Sequence, residues 1–178
     1  MPPAGNRDEY AKLSREQLMD LLELFGRQAI VIDGLWFLGV EAGQGHAAAL
    51  ALDEEVWGRY GAGEARRLLG LLGLERAGSL EDVCRLFLLT PLWGILGARA
   101  EVAGGRAHLW ITQCRPQMAR VRKGMGEFDC KQVGINYFRA WLPALHPDLR
   151  FVCTFCPPDA HPDQEWCRWE AWFEEPAS

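Results

Sequence analysis

Apolar residues recur at intervals of three and four through the first part of the chain, which is the period of an amphipathic helix. Ser14 and Gln17 have the form of a capping box, a hydroxyl followed three residues later by a Gln, which marks a helix start. The apolar stripe continues over residues 18–40, so the pattern predicts one long helix ending near Glu41. Residues 1–13 precede the cap and are expected to form a flexible tail.

Further helical segments follow before the pattern changes. A second helix is predicted over residues 46–60, and glycines at positions 61 and 63 are expected to separate it from a third helical segment over 64–72. Ser79 has the form of an N-cap for another helix, which should end before Pro91. The first half of the chain is therefore predicted to be helical.

The second half alternates apolar and polar residues over short runs, as strands do. Residues 98–102 and 106–114 suggest a hairpin, with Gly104 and Gly105 at its turn, and a helix is predicted over 130–145. The last two predicted strands cover residues 150–155 and 166–173. The order of elements predicts an α+β fold, in which N-terminal helices pack on an antiparallel sheet of about four strands. Residues 14–178 should form a single domain.

Composition narrows the class of protein. The net charge of −5 argues against a general nucleic-acid binder, which would carry a basic face. Neither an apolar run of the ~18 residues that a membrane span needs nor a signal sequence is present, so we expect a cytoplasmic protein with no membrane partner. In that reducing compartment, six cysteines serve in metal binding or chemistry more often than in disulfides.

Four cysteines in the last third of the chain have a spacing that suits one shared metal ion. Twenty-two residues separate Cys130 from Cys153, two separate Cys153 from Cys156, and ten separate Cys156 from Cys167. The CxxC pair brings two sulfurs together, and a cysteine at a helix start, such as Cys130, is favoured as a thiolate. These residues are predicted to bind structural zinc or an iron–sulfur cluster. The alternative is that they are buried small hydrophobic residues, as is expected of Cys84.

Candidate pocket residues lie elsewhere. Cys114 is followed by Arg115 and Arg120, and nearby Arg lowers a thiol pKa, so Cys114 is a candidate reactive thiol at a pocket with Arg120 at its rim. The basic residues from Arg115 to Lys131 are candidates for an anion site, and the alternative is a solvated loop and helix start.

The end of the first helix offers a second candidate group. Glu41, His46 and Asp53 could form an acid–base set, because His46 and Asp53 are seven residues apart on nearly one helix face; solvated charges are the alternative. Trp36 is expected to face the sheet and close a cavity, with core packing as the alternative for this and the neighbouring aromatic residues. No nucleophile–base motif identifies a catalytic residue.

Several segments together resemble an uncharacterised bacterial and archaeal family. They are residues 33–41, 49–57, 114–124, 128–131 and 156–169. Members of that family are labelled cytosolic proteins, or proteins similar to L-2-amino-thiazoline-4-carboxylic acid hydrolase. The resemblance covers nearly the whole chain after about residue 14 and implies, by label alone, a hydrolase acting on a thiazoline-type cyclic amidine C–N bond.

The C-terminal half also resembles four-vinyl-reductase-type ligand-binding domains. In the sensor branch of those domains, zinc is held by a Cys at a helix start, a Glu and a Cys three residues apart on a strand, and a later Cys. Carried over, Cys130, Cys156 and Cys167 match the three cysteines, while Cys153 stands in place of the Glu. The resemblance implies a small-molecule pocket beside the metal and a homodimer.

Three hypotheses for function follow. The first is a metal-stabilised, zinc-containing domain that binds or senses a small molecule. The second is the thiazoline-type hydrolase, and the third is an iron–sulfur redox protein that uses the same four sulfurs.

Overall fold

The computed structural model of the protein describes residues 6–174, which form seven helices and four strands. The helices are α1 (Arg7–Tyr10), α2 (Arg15–Gln44), α3 (His46–Leu72), α4 (Leu80–Leu88), α5 (Pro91–Gly94), α6 (Arg115–Arg122) and α7 (Lys131–Leu145). The strands are β1 (Ala98–Ala103), β2 (Arg106–Ile111), β3 (Leu149–Phe155) and β4 (Cys167–Phe173). The predicted mixed fold is confirmed. Part of the expected tail, residues 1–5, lies outside the described residues, and α1 occupies another part of it.

The four strands form one antiparallel sheet in the order β1-β2-β4-β3. Helix α4 packs mainly against β1 and β2, and α7 packs against β3; the core between helices and sheet is rich in aromatic rings. Phe138 of α7 and Trp169 of β4 form its closest aromatic pair, with ring centroids 4.7 Å apart. The sheet therefore has a helical layer on one face, as the order of elements predicts.

The predicted cap of the first long helix is present. Ser14 Oγ accepts a hydrogen bond from Gln17 N at 3.1 Å, and Gln17 Oε1 accepts one from Ser14 N at 2.8 Å. The helix ends at Gly45, whose φ of 89° suits glycine, and α3 begins at the next residue. The two long helices thus form a hairpin with almost no linker.

The predicted break in α3 at Gly61 and Gly63 is wrong, because α3 is continuous from His46 to Leu72. A Cβ at Gly61 would lie 2.7 Å from the carbonyl oxygen of Tyr137, so this glycine allows α7 to approach the backbone of α3 closely. Glycine in a helix interior costs only about 1 kcal/mol relative to alanine. Packing between α3 and α7 offsets that cost.

Helix α2 leaves much of its apolar surface exposed, although it packs against α3 and α5. Gly26 is its only buried residue among the thirty. A row of residues spaced by four and three faces solvent and is called the outer row: Leu18, Leu22, Phe25, Ala29, Ile32 and Trp36. Within residues 6–174, no helix is long and apolar enough to cross a membrane.

Candidate functional site

A cavity of about 210 Å³ lies between the helical layer and the sheet. Residues of α2, α3, α6 and α7 line it, and β2 and β4 contribute Ile111 and Trp169. Its wall is mostly apolar and contains many aromatic side chains, namely Phe37, Trp57, Phe87, Trp93, Phe128, Tyr137, Phe138 and Trp169. A concave, mostly apolar site with a few polar groups is typical of small-molecule binding.

The cavity extends to the cysteines predicted to bind metal. Cys130, Cys156 and Cys167 line it, as does Cys114, whereas Cys153 is not one of its lining residues. The separate predictions of a metal site and of a pocket containing Cys114 thus concern neighbouring parts of the molecule. A ligand in the cavity would lie beside the sulfur cluster.

The four cysteines gather around Cys156. Its Sγ lies 3.7 Å from Cys130 Sγ, and hydrogen bonding with the thiol of Cys130, and then with those of Cys153 and Cys167, raises the pKa of Cys156. The pKa of Cys153 is lowered, chiefly by its hydrogen bond with Cys156. All six cysteines are free thiols.

The arrangement fits zinc in part. Four thiols are the donor set of a closed structural zinc site, and 3.7 Å is close to the ~3.8 Å edge of a tetrahedron with ~2.3 Å Zn–S bonds. Yet no group of three or more Cys, His, Asp or Glu side chains in residues 6–174 is arranged so that it could hold a metal ion as it stands. Ligation would therefore need the thiols to adjust and lose their protons.

An irregularity in β3 helps to bring the CxxC pair together. Successive side chains of a regular strand alternate between faces, so residues three apart would face opposite ways. The register between β3 and β4 shifts between Cys153 and Phe155, so that two β3 residues occupy the space of one β4 residue. This bulge lets the thiols of Cys153 and Cys156 meet.

Polar contacts fix the segment that follows β3 to the start of α7. Lys131 N donates to Pro157 O at 3.1 Å, and Lys131 Nζ pairs with Asp159 at 2.8 Å. Asp159 also accepts a bond from Cys156 N at 3.3 Å. Cys130, which precedes Lys131, is thereby held opposite Cys156.

Gln117 of α6 is a site residue that sequence reasoning missed. It has 0 % solvent exposure, and its Oε1 accepts a bond from Phe128 N at 3.0 Å. Its Nε2 donates to Phe128 O at 2.8 Å and to Cys130 Sγ at 3.2 Å. Because the Phe128 N–H requires an acceptor, the amide orientation is fixed and an N–H must face the sulfur. No sequence motif marks such a glutamine.

The Cys114 thiol does not have the environment expected of a reactive cysteine. Burial raises its pKa well above the ordinary value, and the neighbouring Cys130 raises it further. The neighbouring Arg115 donates its Nε–H to Ile95 O. The thiol therefore stays protonated at neutral pH, and the expectation of a lowered pKa is wrong because desolvation dominates.

Arg120 lines the cavity and is held by the end of α2. Its Nη1 and Nη2 donate to Glu41 at 2.9 and 3.2 Å, and His46 Nδ1 lies 2.7 Å from the same carboxylate. The hydrogen bond from Arg120 is the main reason that the pKa of Glu41 is lowered. Glu41 and His46 are not among the lining residues, so they act behind Arg120.

Asp53 does not join Glu41 and His46, because seven residues of helix correspond to about 10 Å of rise. It lines the cavity with Asp33 of α2 instead. Burial, and then the charge of Asp33, raise the pKa of Asp53 to about 7. Burial also raises the pKa of Asp33. The predicted acid–base set is thus replaced by a Glu41–His46 pair and a separate pair of carboxylates.

Trp36 does not face the sheet. Its side chain is 72 % exposed and lines an outer groove between α2 and α3, rather than the cavity. Phe37, the next residue, lines the cavity in its place. The expectation that Trp36 closes the cavity is wrong because α2 is apolar on more than one face, so periodicity could not identify the inward one.

A buried polar network lies along the cavity wall. Glu64, which is buried, accepts hydrogen bonds from Tyr137 at 2.6 Å and from Tyr60 at 2.8 Å. Trp93 Nε1 donates to Tyr137 at 3.0 Å. Burial is the main cause that raises the pKa of Glu64. The network fixes two cavity-lining rings, Tyr137 and Trp93.

Comparison with known proteins gives one match. The sequence profile of a family of unknown function (DUF6125) matches residues 11–173. No curated protein and no solved structure shows significant similarity to the chain.

Proposed function

We propose a function for this chain, which belongs to that family of unknown function, from its cavity and its cysteines. The protein is a small-molecule binding or sensing domain whose C-terminal third is stabilised by zinc. Cys130, Cys153, Cys156 and Cys167 hold the ion, and the ligand occupies the cavity beside it. A bound zinc supplies a rigid cross-link between the start of α7 and the last two strands.

One observation carries the proposal: the aromatic cavity and the cysteine cluster share a wall. Three of the four cysteines line the cavity, and Gln117 donates an N–H to Cys130 Sγ. Hydrogen bonds to ligand atoms from outer residues orient metal ligands and tune their basicity. The buried amide beside Cys130 therefore holds that sulfur in place, as an outer residue of a zinc site does.

The hydrolase alternative has less support. It needs a nucleophile or a general base beside the substrate. The cavity's Cys114 stays protonated, because burial raises its pKa. By contrast, burial and repulsion from Asp33 raise the pKa of Asp53 to about 7, which would suit a general base. Asp53 is the residue on which a test of hydrolysis should concentrate.

The iron–sulfur alternative uses the same sulfurs, and a spectrum distinguishes it from zinc. Freshly purified, anaerobically handled protein should be colourless and contain about one zinc per chain by elemental analysis. Absorption near ~400 nm together with bound iron would favour a cluster instead. Mass spectrometry of small molecules released from the protein tests the binding function. A protein free of both metals and of any co-purifying molecule would contradict the proposal.

The proposal includes a cytoplasmic homodimer. Outer-row residues are spaced by four and three over residues 18–36, which is the heptad period by which one helix packs on another. Residues of that row also line the groove between α2 and α3, together with Leu52 and Val56. The partner of this row would be the same row of a second copy, because a two-fold dimer brings identical surfaces of its two subunits together.

A further inference from the structure

The Nε–H of Arg120 is a hydrogen-bond donor that the described part of the protein does not use. Each terminal nitrogen donates to Glu41, whereas Nε donates to none of the described residues. That nitrogen is buried and finds no acceptor among residues 6–174. Buried N–H groups in native proteins are nearly always paired, so an unpaired one on a residue that lines a cavity is a place where a ligand acceptor would be stabilised.

The surroundings of Arg120 favour an acceptor that is negatively charged. Glu41 already balances the charge of Arg120, but Lys123, which follows α6, lines the same cavity and adds a positive charge. The rings of Phe37 and Phe128 lie 6.0 and 5.7 Å from the guanidinium carbon. Apolar walls exclude water and strengthen a hydrogen bond from a charged donor to a charged acceptor.

Two carboxylates on another part of the cavity wall determine which end of the cavity an anionic group of the ligand would occupy. Asp33 lies eight residues before Glu41 on α2, which is about 12 Å of helix rise. Asp33 and Asp53 would repel an anionic group at their end of the cavity. An anion is therefore favoured only at the Arg120 end, and the cavity volume of about 210 Å³ suits a molecule with one ring.

We infer that the ligand is a small aromatic carboxylate whose carboxylate accepts the Nε–H of Arg120 and faces Lys123. Its ring lies among the aromatic residues of the wall. This inference rests on the proposed binding function and specifies its ligand class.

Two matched pairs of compounds test the carboxylate. Benzoate is compared with benzyl alcohol, and 4-(aminomethyl)benzoate with benzylamine, by calorimetric titration of the full chain at neutral pH. The second pair carries an amine in both members, so any attraction to Asp33 and Asp53 cancels. We expect the carboxylate member of each pair to bind at least about tenfold more tightly, as one charged hydrogen bond in a desolvated site allows.

A matched pair of variants tests whether Arg120 binds the carboxylate. Arg120→Lys keeps a cation for Glu41 but removes the Nε–H, and should weaken benzoate binding about tenfold or more while leaving benzyl alcohol unchanged. Arg122→Lys, on the same helix and not lining the cavity, should change neither. Thermal unfolding checks that each variant is folded; if Arg120→Lys is not, the compound pairs on the unaltered chain still decide.

Two outcomes would overturn the inference. If benzyl alcohol and benzylamine bind as tightly as their carboxylates, the cavity binds small molecules but does not select an anion, so the proposed function stands and the ligand class is wrong. If none of the four compounds binds, the ligand class is also wrong. The binding function is then judged separately by the small molecules released from purified protein.

Discussion

Gln117 and Cys130 are joined by a hydrogen bond, in which the fully buried amide of Gln117 donates an N–H to a sulfur 3.2 Å away. The same amide satisfies both backbone groups of Phe128. One side chain thus fixes the loop before α7 and places a donor beside a candidate metal ligand. Its two roles can be separated by substitution.

Gln117→Leu and Gln117→Glu should both weaken zinc binding. Loss of an outer-shell partner typically reduces metal affinity by about 10–100-fold. Gln117→Leu should also lower the free energy of unfolding by about 2 kcal/mol, because both backbone groups of Phe128 lose their partner. Chelator competition and urea unfolding measure the two effects. Gln113→Leu, at an exposed position nearby, is the control, and an unchanged zinc affinity in both Gln117 variants would remove its assigned role.

Cys156→Ser and Cys167→Ser should unfold or aggregate the C-terminal third. A structural zinc contributes on the order of 10 kcal/mol of apparent binding free energy, which is comparable to the net stability of a domain. Cys84→Ser should lower stability only slightly, because Cys84 lies in α4 away from the cluster and the change loses only a small buried contact. Circular dichroism and limited proteolysis, with and without a strong chelator, make the comparison. If the chelator changes neither the circular dichroism nor the proteolysis of the wild-type protein, the cysteines are better interpreted as small hydrophobic residues.

Gly134→Ala should destabilise the fold by about 1–3 kcal/mol, as overpacking of a core does. A Cβ at this position would lie 2.5 Å from the Trp169 ring, which also lines the cavity. Gly70→Ala is the matched control, because nothing lies within 4 Å of its Cβ. The control should be neutral or stabilising by up to about 1 kcal/mol. Urea unfolding measures both, and equal stabilities would mean that Trp169 moves freely.

Asp53→Asn should change how stability depends on pH. Burial and the charge of Asp33 raise the pKa of Asp53 from 3.8 to about 7 in the folded protein. Between these values the folded state binds more protons than the unfolded state, so the free energy of unfolding falls as pH rises from about 4 to about 7. Asparagine removes this loss. The variant should exceed wild type in stability most at pH 8 and least at pH 4, by urea unfolding; parallel curves would contradict the assignment.

Phe25→Glu or Ile32→Glu in the outer row should convert a dimer to a monomer. A charge placed in an apolar helix interface must lose its hydration on association, which opposes binding. Leu71→Glu, on α3 and outside the groove, should leave the dimer intact. Light scattering coupled to size exclusion measures the mass. A wild-type monomer at high micromolar concentration would contradict the proposed homodimer.

Local signals in the sequence identified most of the fold. Ser14 and Gln17 mark the start of α2, and the alternation before Phe173 marks β4, because both depend only on residues nearby. The helix break predicted at Gly61 was wrong because this glycine is there for its close approach to Tyr137, which lies far along the chain. Helix α6, which lies in the basic stretch, was not predicted.

The candidate site was predictable only where residue chemistry is distinctive. Cysteine spacing pointed to Cys130 and Cys156, whose sulfurs the fold brings within 3.7 Å. Gln117 could not be found, since its role depends on burial and on the backbone of Phe128. Trp36 was assigned to the inside although its neighbour Phe37 occupies that place. A helix with apolar residues on several faces does not reveal which face meets the core.

The position of β4 in the sheet affects the order in which the chain can assemble. β4 pairs with β2 on one side and β3 on the other, although it follows both in the chain. During synthesis, the β1–β2 hairpin and β3 are therefore made before the strand that joins them exists. A nascent chain that stops before Cys167 exposes two unpaired strand edges, which are the features that promote aggregation. Quality control of this protein would thus depend on how quickly residues 167–173 follow β3 out of the ribosome.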